Sequence, residues 1–228
     1  MRRALVLVVA LLSSAPWFRS VPAATPANAV EPALARFLTR PAEPLTEYRA
    51  LRHMEAGNDR FNLNASLDAM TALGADGRFT YTIVREEGSE YIRNKVLRSI
   101  LENEERLFAT TDPARAALTS DNYELLVGEP AEPGVVRLLA KPRRREVSLV
   151  DGSVFVKRDD ADLLRVEGRL AKNPSFWTTR VDVIRRYDRV GGIRVPVRLD
   201  TTAQIRVAGI SSMSVVYDYE MVNGVSVK

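Results

Sequence analysis

The stretch TTRVDVIRRYDRVGGIRVPVRLD, residues 178–200, decides the fold class of this chain. Apolar and polar side chains alternate on both sides of the Gly191-Gly192 pair, as in two strands that are joined by a tight turn and bury one face. So short a connection leaves no room for a helical crossover, and the two strands must therefore pair antiparallel. Pro196 lies inside the second run and marks a bulge or a sheet edge, because proline donates no hydrogen bond.

The same alternation recurs along most of the chain. It appears in residues 61–69 and 79–83, on either side of a glycine-containing turn at 74–77, and in short runs from residue 122 to the C-terminus. Turn residues separate these runs at intervals that fit an antiparallel meander. We count about eleven strands, so the fold class is mainly β, of the α+β type, in a single domain.

Two segments have a helical pattern, and Asp112-Pro113 indicates a further short turn of helix. In GSEYIRNKVLRSILENEERLF, residues 88–108, five apolar residues fall on one stripe and Ser89 is a suitable N-cap. In EPALARFLTRPAEP, residues 31–44, Leu34, Phe37 and Leu38 share a face before the prolines end the helix. The stripe of the longer helix consists of Ile92, Val96, Leu97, Ile100 and Leu101.

Eleven strands with one apolar face each make more apolar surface than these helices can cover. If the sheet closes on itself, side chains fill the interior and nothing remains to be covered. If it stays open, the uncovered part of the concave face is a hydrophobic cavity, the usual site for an apolar ligand. The alternation alone leaves both arrangements open.

The N-terminus has the order of a secretory signal peptide. Two arginines precede the apolar run ALVLVVALL, and small residues follow as far as Ala29, after which we expect cleavage. We therefore expect a signal peptide at 1–29, one domain at 30–228, and a periplasmic location. The formal net charge is +4, and removal of three leader arginines leaves +1, which gives no electrostatic support to a nucleic-acid partner. The chain has no cysteine and therefore no disulfide.

Three further segments carry a family resemblance. The helix EEGSEYIRNKVLRSILENEE, followed by LLRVEGRLAKNPSFW and YDRVGGIRVPVRLD, resembles the LolA/LolB-like periplasmic lipoprotein carriers, especially the outer-membrane lipoprotein-sorting-protein-like members. The likeness covers about residues 48–223. It implies an open antiparallel β-barrel, or half-barrel, with covering helices, whose apolar hollow shelters the acyl chains of a lipid or lipoprotein.

These considerations predict a non-catalytic carrier or binding protein of the cell envelope. We expect a monomer without a cofactor or metal, with a lipid or lipoprotein acyl chains as its ligand and envelope membrane proteins as donor or acceptor. The residues expected to line its cavity are apolar residues of strands, of the long helix and of the Asn173-Pro174 turn. They are Leu63, Leu67, Phe79, Tyr81, Ile83, Ile92, Val96, Ile100, Phe155, Phe176 and Trp177.

Two alternatives stay open at this stage. With a filled core, the protein is an envelope structural or signalling module that binds a protein partner, for which the strand near Pro196 offers an edge. A hydrolase would have to use His53, the single histidine, or paired carboxylates such as Asp159, Asp160 and Asp162. His53 lies in an alternating run, which favours a position on the sheet surface, and the aspartates lie in a turn that lacks a calcium-loop pattern.

Overall fold

The computed structural model describes residues 32–41, 43–110 and 113–228, so the predicted signal peptide lies outside the described residues. Their dominant feature is one large antiparallel sheet, and every strand pairing in it is antiparallel. The strands are β1 (Tyr48–Asn58), β2 (Leu63–Leu73), β3 (Phe79–Gly88), β4 (Tyr123–Val127), β5 (Val135–Pro142), β6 (Val150–Lys157), β7 (Leu163–Leu170), β8 (Thr178–Val190), β9 (Ile193–Ile205), β10 (Gly209–Val222) and β11 (Val225–Ser226).

The sheet is open. Its strand order is β3-β2-β1-β10-β9-β8-β7-β6-β5-β4, with β11 added beside β10, and β3 and β4 are the two ends of this path. Each pair of adjacent strands is consecutive in sequence, except that β1 pairs with β10. The predicted fold class, an open antiparallel half-barrel of eleven strands with helices, is confirmed.

The helices cover the concave face in two places. The first helix, α1 (Pro32–Thr39), packs on β4 and β6. A longer helix packs on β1, β2 and β3, and consists of α2 (Glu90–Ile92), a π-helical turn (Arg93–Leu97) and α3 (Arg98–Thr110). A short 3₁₀ helix follows at Pro113–Ala116. The inward side chains consequently form two apolar clusters, one beneath each helical cover.

The long helix follows the predicted stripe. Its four fully buried apolar residues are Ile92, Leu97, Ile100 and Leu101, and Val96 is half-buried against them. The Ser89 hydroxyl accepts a hydrogen bond from the Ile92 N–H at 3.5 Å, which confirms the predicted N-cap.

Pro196 lies at a bulge. The register between β8 and β9 shifts between Arg186 and Tyr187, and Tyr187 is opposite Pro196. On its other side, the pairing of β9 with β10 runs from Ile205 only as far as Arg198. The missing N–H of Pro196 therefore costs no ladder bond to β10, and its carbonyl accepts a hydrogen bond from the Tyr219 hydroxyl at 2.9 Å.

An ion-pair cluster around Asp162 fastens the segment that follows α1. The Asp162 carboxylate, 5% exposed, accepts from Arg189 Nε at 2.8 Å and from Arg194 Nη1 at 3.0 Å, and Arg40 Nη1 lies 3.2 Å from it. Arg189 also pairs with Glu43 at 3.0 Å. These contacts join the α1 segment to the β6–β7 turn and to the β8–β9 hairpin.

This cluster predicts a loss of stability in acid. Burial raises the pKa of Asp162, but the Arg189 hydrogen bond and the charges of Arg194 and Arg40 outweigh it and hold that pKa below its ordinary value. The stabilisation is therefore present above the unfolded-state pKa of about 3.9 and is lost as the pH falls through the lower folded-state value. We expect the melting temperature to fall more steeply below about pH 4 in the wild type than in Asp162→Asn. Exposed Asp121→Asn is the control; equal slopes for all three proteins would contradict the prediction.

Candidate functional site

A gradient of side-chain size along the strands leaves one end of the half-barrel hollow. At the end where β1 begins and β10 ends, inward positions carry Tyr48, Tyr217 and Tyr219, which fill the space between sheet and helix. At the opposite end, the inward positions of β1 and β9 carry Ala56 and Ala203. Small side chains cannot reach the helix, so a cavity forms there.

The filled end is organised around a buried ion pair. Arg52 of β1 and Glu104 of α3, each 1% exposed, form two hydrogen bonds, at 2.6 Å and 2.9 Å. The guanidinium also donates to the Tyr48 hydroxyl and lies 4.8 Å above the Tyr217 ring and 5.3 Å above the Phe79 ring. Burial lowers the pKa of Arg52, but the charge of Glu104 outweighs burial and raises this pKa well above its ordinary value. The pair attaches the middle of the covering helix to the sheet.

The hollow end encloses the apolar cavity, which has a volume of about 940 Å³. Its walls come from the adjoining ends of β1, β2, β9 and β10, from the start of the long helix and from the loop before β8. Lys95 is the single charged residue among the described lining residues. A carboxylate is thus absent from this described lining, and the neutral polar groups available to orient a ligand include Asn58, Ser175 and Thr201.

Exposed aromatic side chains form the rim of the cavity. Phe61 of the β1–β2 turn, Tyr91 of the helix start, and Phe176 and Trp177 of the β7–β8 loop are 53%, 65%, 73% and 50% exposed. Phe176 and Trp177 contact each other edge to face, with ring centroids 5.6 Å apart. Large aromatic rings in water are costly unless they serve a contact, so the rim is suited to cover an apolar ligand.

The loop that carries Phe176 and Trp177 is held by polar contacts at both ends. The Asn173 side chain donates to the Thr179 carbonyl at 2.9 Å, and the Ser175 and Thr178 hydroxyls lie 2.9 Å apart. The Arg206 N–H donates to the Trp177 carbonyl at 2.9 Å. These bonds fix the two aromatic residues at the mouth of the cavity without burying them.

The structure brings five of the predicted lining residues together at the apolar cavity. These five are Leu63, Ile92, Val96, Phe176 and Trp177.

The other six lie elsewhere. Leu67, Phe79 and Ile100 are buried in the core beneath the long helix, and Tyr81 and Ile83 are half-buried against the same core. Phe155 is on the opposite face of the sheet from its neighbours Val154 and Val156, with the Arg165 guanidinium 3.8 Å above its ring.

Several lining residues were not among those predicted. Ala56, Ala203 and Met213 lie at inward strand positions, and Phe61 and Tyr91 lie at the rim. The signal that could have found the alanines is their place in the alternation, since small inward residues at the same end of β1 and β9 leave an unfilled volume. Tyr91 has no such periodic signal because it lies at the start of the helix, and Phe61 continues the alternation of β2 although it lies in the preceding turn.

The groups considered for catalysis lie away from the apolar cavity. His53 is exposed on the outer face of β1, with Nδ1 2.9 Å from Asp68 Oδ1. Asp162 is engaged by its arginines, as described above. No group of three or more His, Cys, Asp or Glu side chains in the described part of the chain is arranged to hold a metal ion. None of its helices is long and apolar enough to cross a bilayer.

Comparisons with known proteins give similar structures only. No protein-family model matches this chain, and none of the curated proteins matches it. Among solved structures, it is similar to a DUF1329 family protein from Desulfovibrio piger, with 14% identity, a TM-score of 0.44, and coverage of 86% of this chain and 96% of that chain.

Two further solved structures are similar over nearly the same share of the chain. One is a LolA superfamily protein from Nitrosomonas europaea, with 8% identity, a TM-score of 0.38, and coverage of 84% of this chain and 94% of that chain. The other is named as an outer membrane lipoprotein-sorting protein domain from Vibrio parahaemolyticus, with 11% identity, a TM-score of 0.38, and coverage of 85% and 91%.

Proposed function

We propose that this protein is a non-catalytic carrier or binding protein for a lipid or for the acyl chains of a lipoprotein, and that it works in the periplasm during envelope biogenesis. The observation that carries the proposal is the apolar cavity of about 940 Å³ with its exposed aromatic rim. Its size is at the upper end of the range of about 300–1,000 Å³ that is usual for ligand sites. The predicted signal peptide supports the location.

The energetics of the cavity suit an acyl chain. Transfer of about fifteen methylenes from water contributes on the order of 12 kcal/mol before the costs of association are subtracted. The polar groups of the lining are few and neutral apart from Lys95, so an acyl chain would be held by the burial of its apolar surface and not by hydrogen bonds. Such a site accepts chains of different length and can release them.

The position of Trp177 provides a direct test. The chain has two tryptophans, so Trp177 is the only one in a Trp17→Phe variant of the full chain. Because Trp177 is half-exposed at the rim, hexadecanoic acid should shift its emission to shorter wavelength and saturate near one ligand per protein. Native mass spectrometry of protein purified from an envelope fraction should show an acylated species bound. A bare protein with unchanged emission would refute the proposal and favour a module that binds a protein partner.

A further inference from the structure

A second concavity lies at the same end of the sheet as the apolar cavity. It has a volume of about 420 Å³ and is formed where β5 and β7 end and where β6 and β8 begin. We call it the basic pocket, because five cationic side chains and one carboxylate, that of Asp151, line it. The cationic residues are Lys141, Arg144, Arg145, Arg169 and Arg180.

Part of this positive charge is not neutralised by the protein. Lys141 and Arg145 have no hydrogen bond or ion pair from their side chains within the described part of the chain. Arg180 uses Nε for the Asp182 carboxylate, at 2.7 Å and 2.9 Å, and Arg169 reaches Asp151 only at 3.3 Å. These side chains can therefore still donate to an anion.

Arg144 has a different role. Its Nε donates to Glu146 at 2.8 Å and its Nη1 donates to Asn122 at 2.7 Å, so it holds the β5–β6 loop in place. Glu146 is further engaged by Arg115. The basic pocket thus combines one arginine that fixes its wall with four cations whose side chains are exposed.

The basic pocket and the apolar cavity share one wall. Asn173 and Thr179 line the basic pocket, whereas Phe176 and Trp177, between them in the same loop, line the apolar cavity. On the sheet, Val181 of the basic pocket is the register partner of Ala203 of the apolar cavity. Arg169 and Arg180 lie on the outer face of the sheet and Ala203 on the inner face, because successive residues of a strand point to opposite faces. One molecule with a polar head and an apolar tail therefore spans the two sites by passing around the β7–β8 loop.

We propose that the basic pocket binds the phosphate headgroup of an anionic amphiphile whose acyl chain occupies the apolar cavity. This inference rests on the proposed function and specifies its ligand. Arginine and lysine donors bind phosphate oxygens through short, charge-assisted hydrogen bonds. The described lining of the apolar cavity has one cation, Lys95, whereas that of the basic pocket has five, so the basic pocket is the better site at this end for a phosphate.

The test measures how tightly the Trp17→Phe protein binds two ligands that have the same acyl chain. One is the anionic palmitoyl-lysophosphatidylglycerol, and the other is the uncharged monopalmitoylglycerol. The anionic ligand should bind at least about tenfold more tightly, a ratio that corresponds to about 1.4 kcal/mol. In Lys141→Ser/Arg145→Ser this preference should largely disappear, while the affinity for monopalmitoylglycerol stays unchanged. Raising the salt concentration should also weaken the preference.

A matched control removes two cations of the same types from the opposite end of the sheet. Lys157 ends β6 and Arg78 lies in the β2–β3 turn, so Lys157→Ser/Arg78→Ser changes the net charge equally and should keep the preference. Equal affinities of both ligands for the wild type would overturn the inference and leave the proposed function standing. Failure of both ligands to bind would overturn the proposed function as well. Tight binding of inorganic phosphate, without any gain for the anionic lipid, would overturn the headgroup assignment in favour of a free-anion site.

Discussion

Replacing Glu104 by glutamine is expected to lower the free energy of unfolding by about 3–5 kcal/mol, because it leaves the Arg52 charge buried without its counterion. Arg52 is 1% exposed and donates hydrogen bonds to both Glu104 oxygens, so water cannot take the place of the lost charge without opening the core. The midpoint and slope of urea denaturation measure the effect.

Two comparisons separate this effect from a general loss of contacts. Arg49 and Glu220 form an exposed pair at 2.7 Å, and Glu220→Gln should cost less than about 1 kcal/mol. Replacing both partners of the buried pair, by Arg52→Met and Glu104→Leu, should be far milder than the single change, because no charge is then left buried. A loss below 1 kcal/mol in Glu104→Gln would show that Arg52 finds another partner.

Filling the apolar cavity should abolish most of its ligand binding. Ala203 is at an inward position of β9, and the phenylalanine ring of Ala203→Phe would occupy space that the acyl chain needs. If about four methylenes are excluded, at about 0.8 kcal/mol each, the loss is about 3 kcal/mol, or more than a hundredfold in affinity. The dissociation constant for hexadecanoic acid, measured by isothermal titration calorimetry, tests this expectation.

The adjoining residue provides the control for this variant. Thr202 directly precedes Ala203 on β9, and its side chain is exposed on the outer face of the sheet. Thr202→Phe therefore adds the same ring outside the apolar cavity. It should bind hexadecanoic acid as the wild type does. Unchanged binding by Ala203→Phe, with the fold intact by circular dichroism, would place the acyl chain elsewhere.

The strands and the long helix could be predicted because each has one buried face. The alternation in residues 178–200 becomes β8 and β9 with their turn at Gly191-Gly192, and the stripe from Ile92 to Leu101 becomes the buried side of the long helix. The predicted start of β2 was less accurate, since Phe61 continues the alternation but lies in the turn before the strand. Local patterns thus identify elements better than their ends.

Long-range polar contacts could not be predicted in the same way. Arg52 interrupts the inward alternation of β1, and Glu104 lies on the buried side of α3, but only the packed structure makes them partners. The sequence places Asp162 in a turn, and only the structure shows that Arg40, which is distant in sequence, helps to bury it. A charged residue within an apolar face indicates a partner without saying which one.

The identity of the cavity-lining residues depends on both kinds of information. Leu63 and Leu67 have the same place in the alternation of β2, yet Leu63 reaches the apolar cavity and Leu67 is fully buried in the core. Their difference comes from where the long helix crosses the sheet. Phe155 depends instead on strand register, because a shift of one residue exchanges the two faces.

The π-helical turn at Arg93–Leu97 has a consequence for how related proteins can diverge. A π turn contains one residue more than an α turn, so deleting one residue there would restore regular α-helical geometry. Ile92 and Leu97 are both buried although they are five residues apart, so the deletion would leave them four apart and on the same face, as in a regular helix, and Glu104 would stay attached to Arg52. Gains and losses of a single codon at this turn would therefore change the cavity wall around Lys95 and Val96 and leave the core of the protein intact.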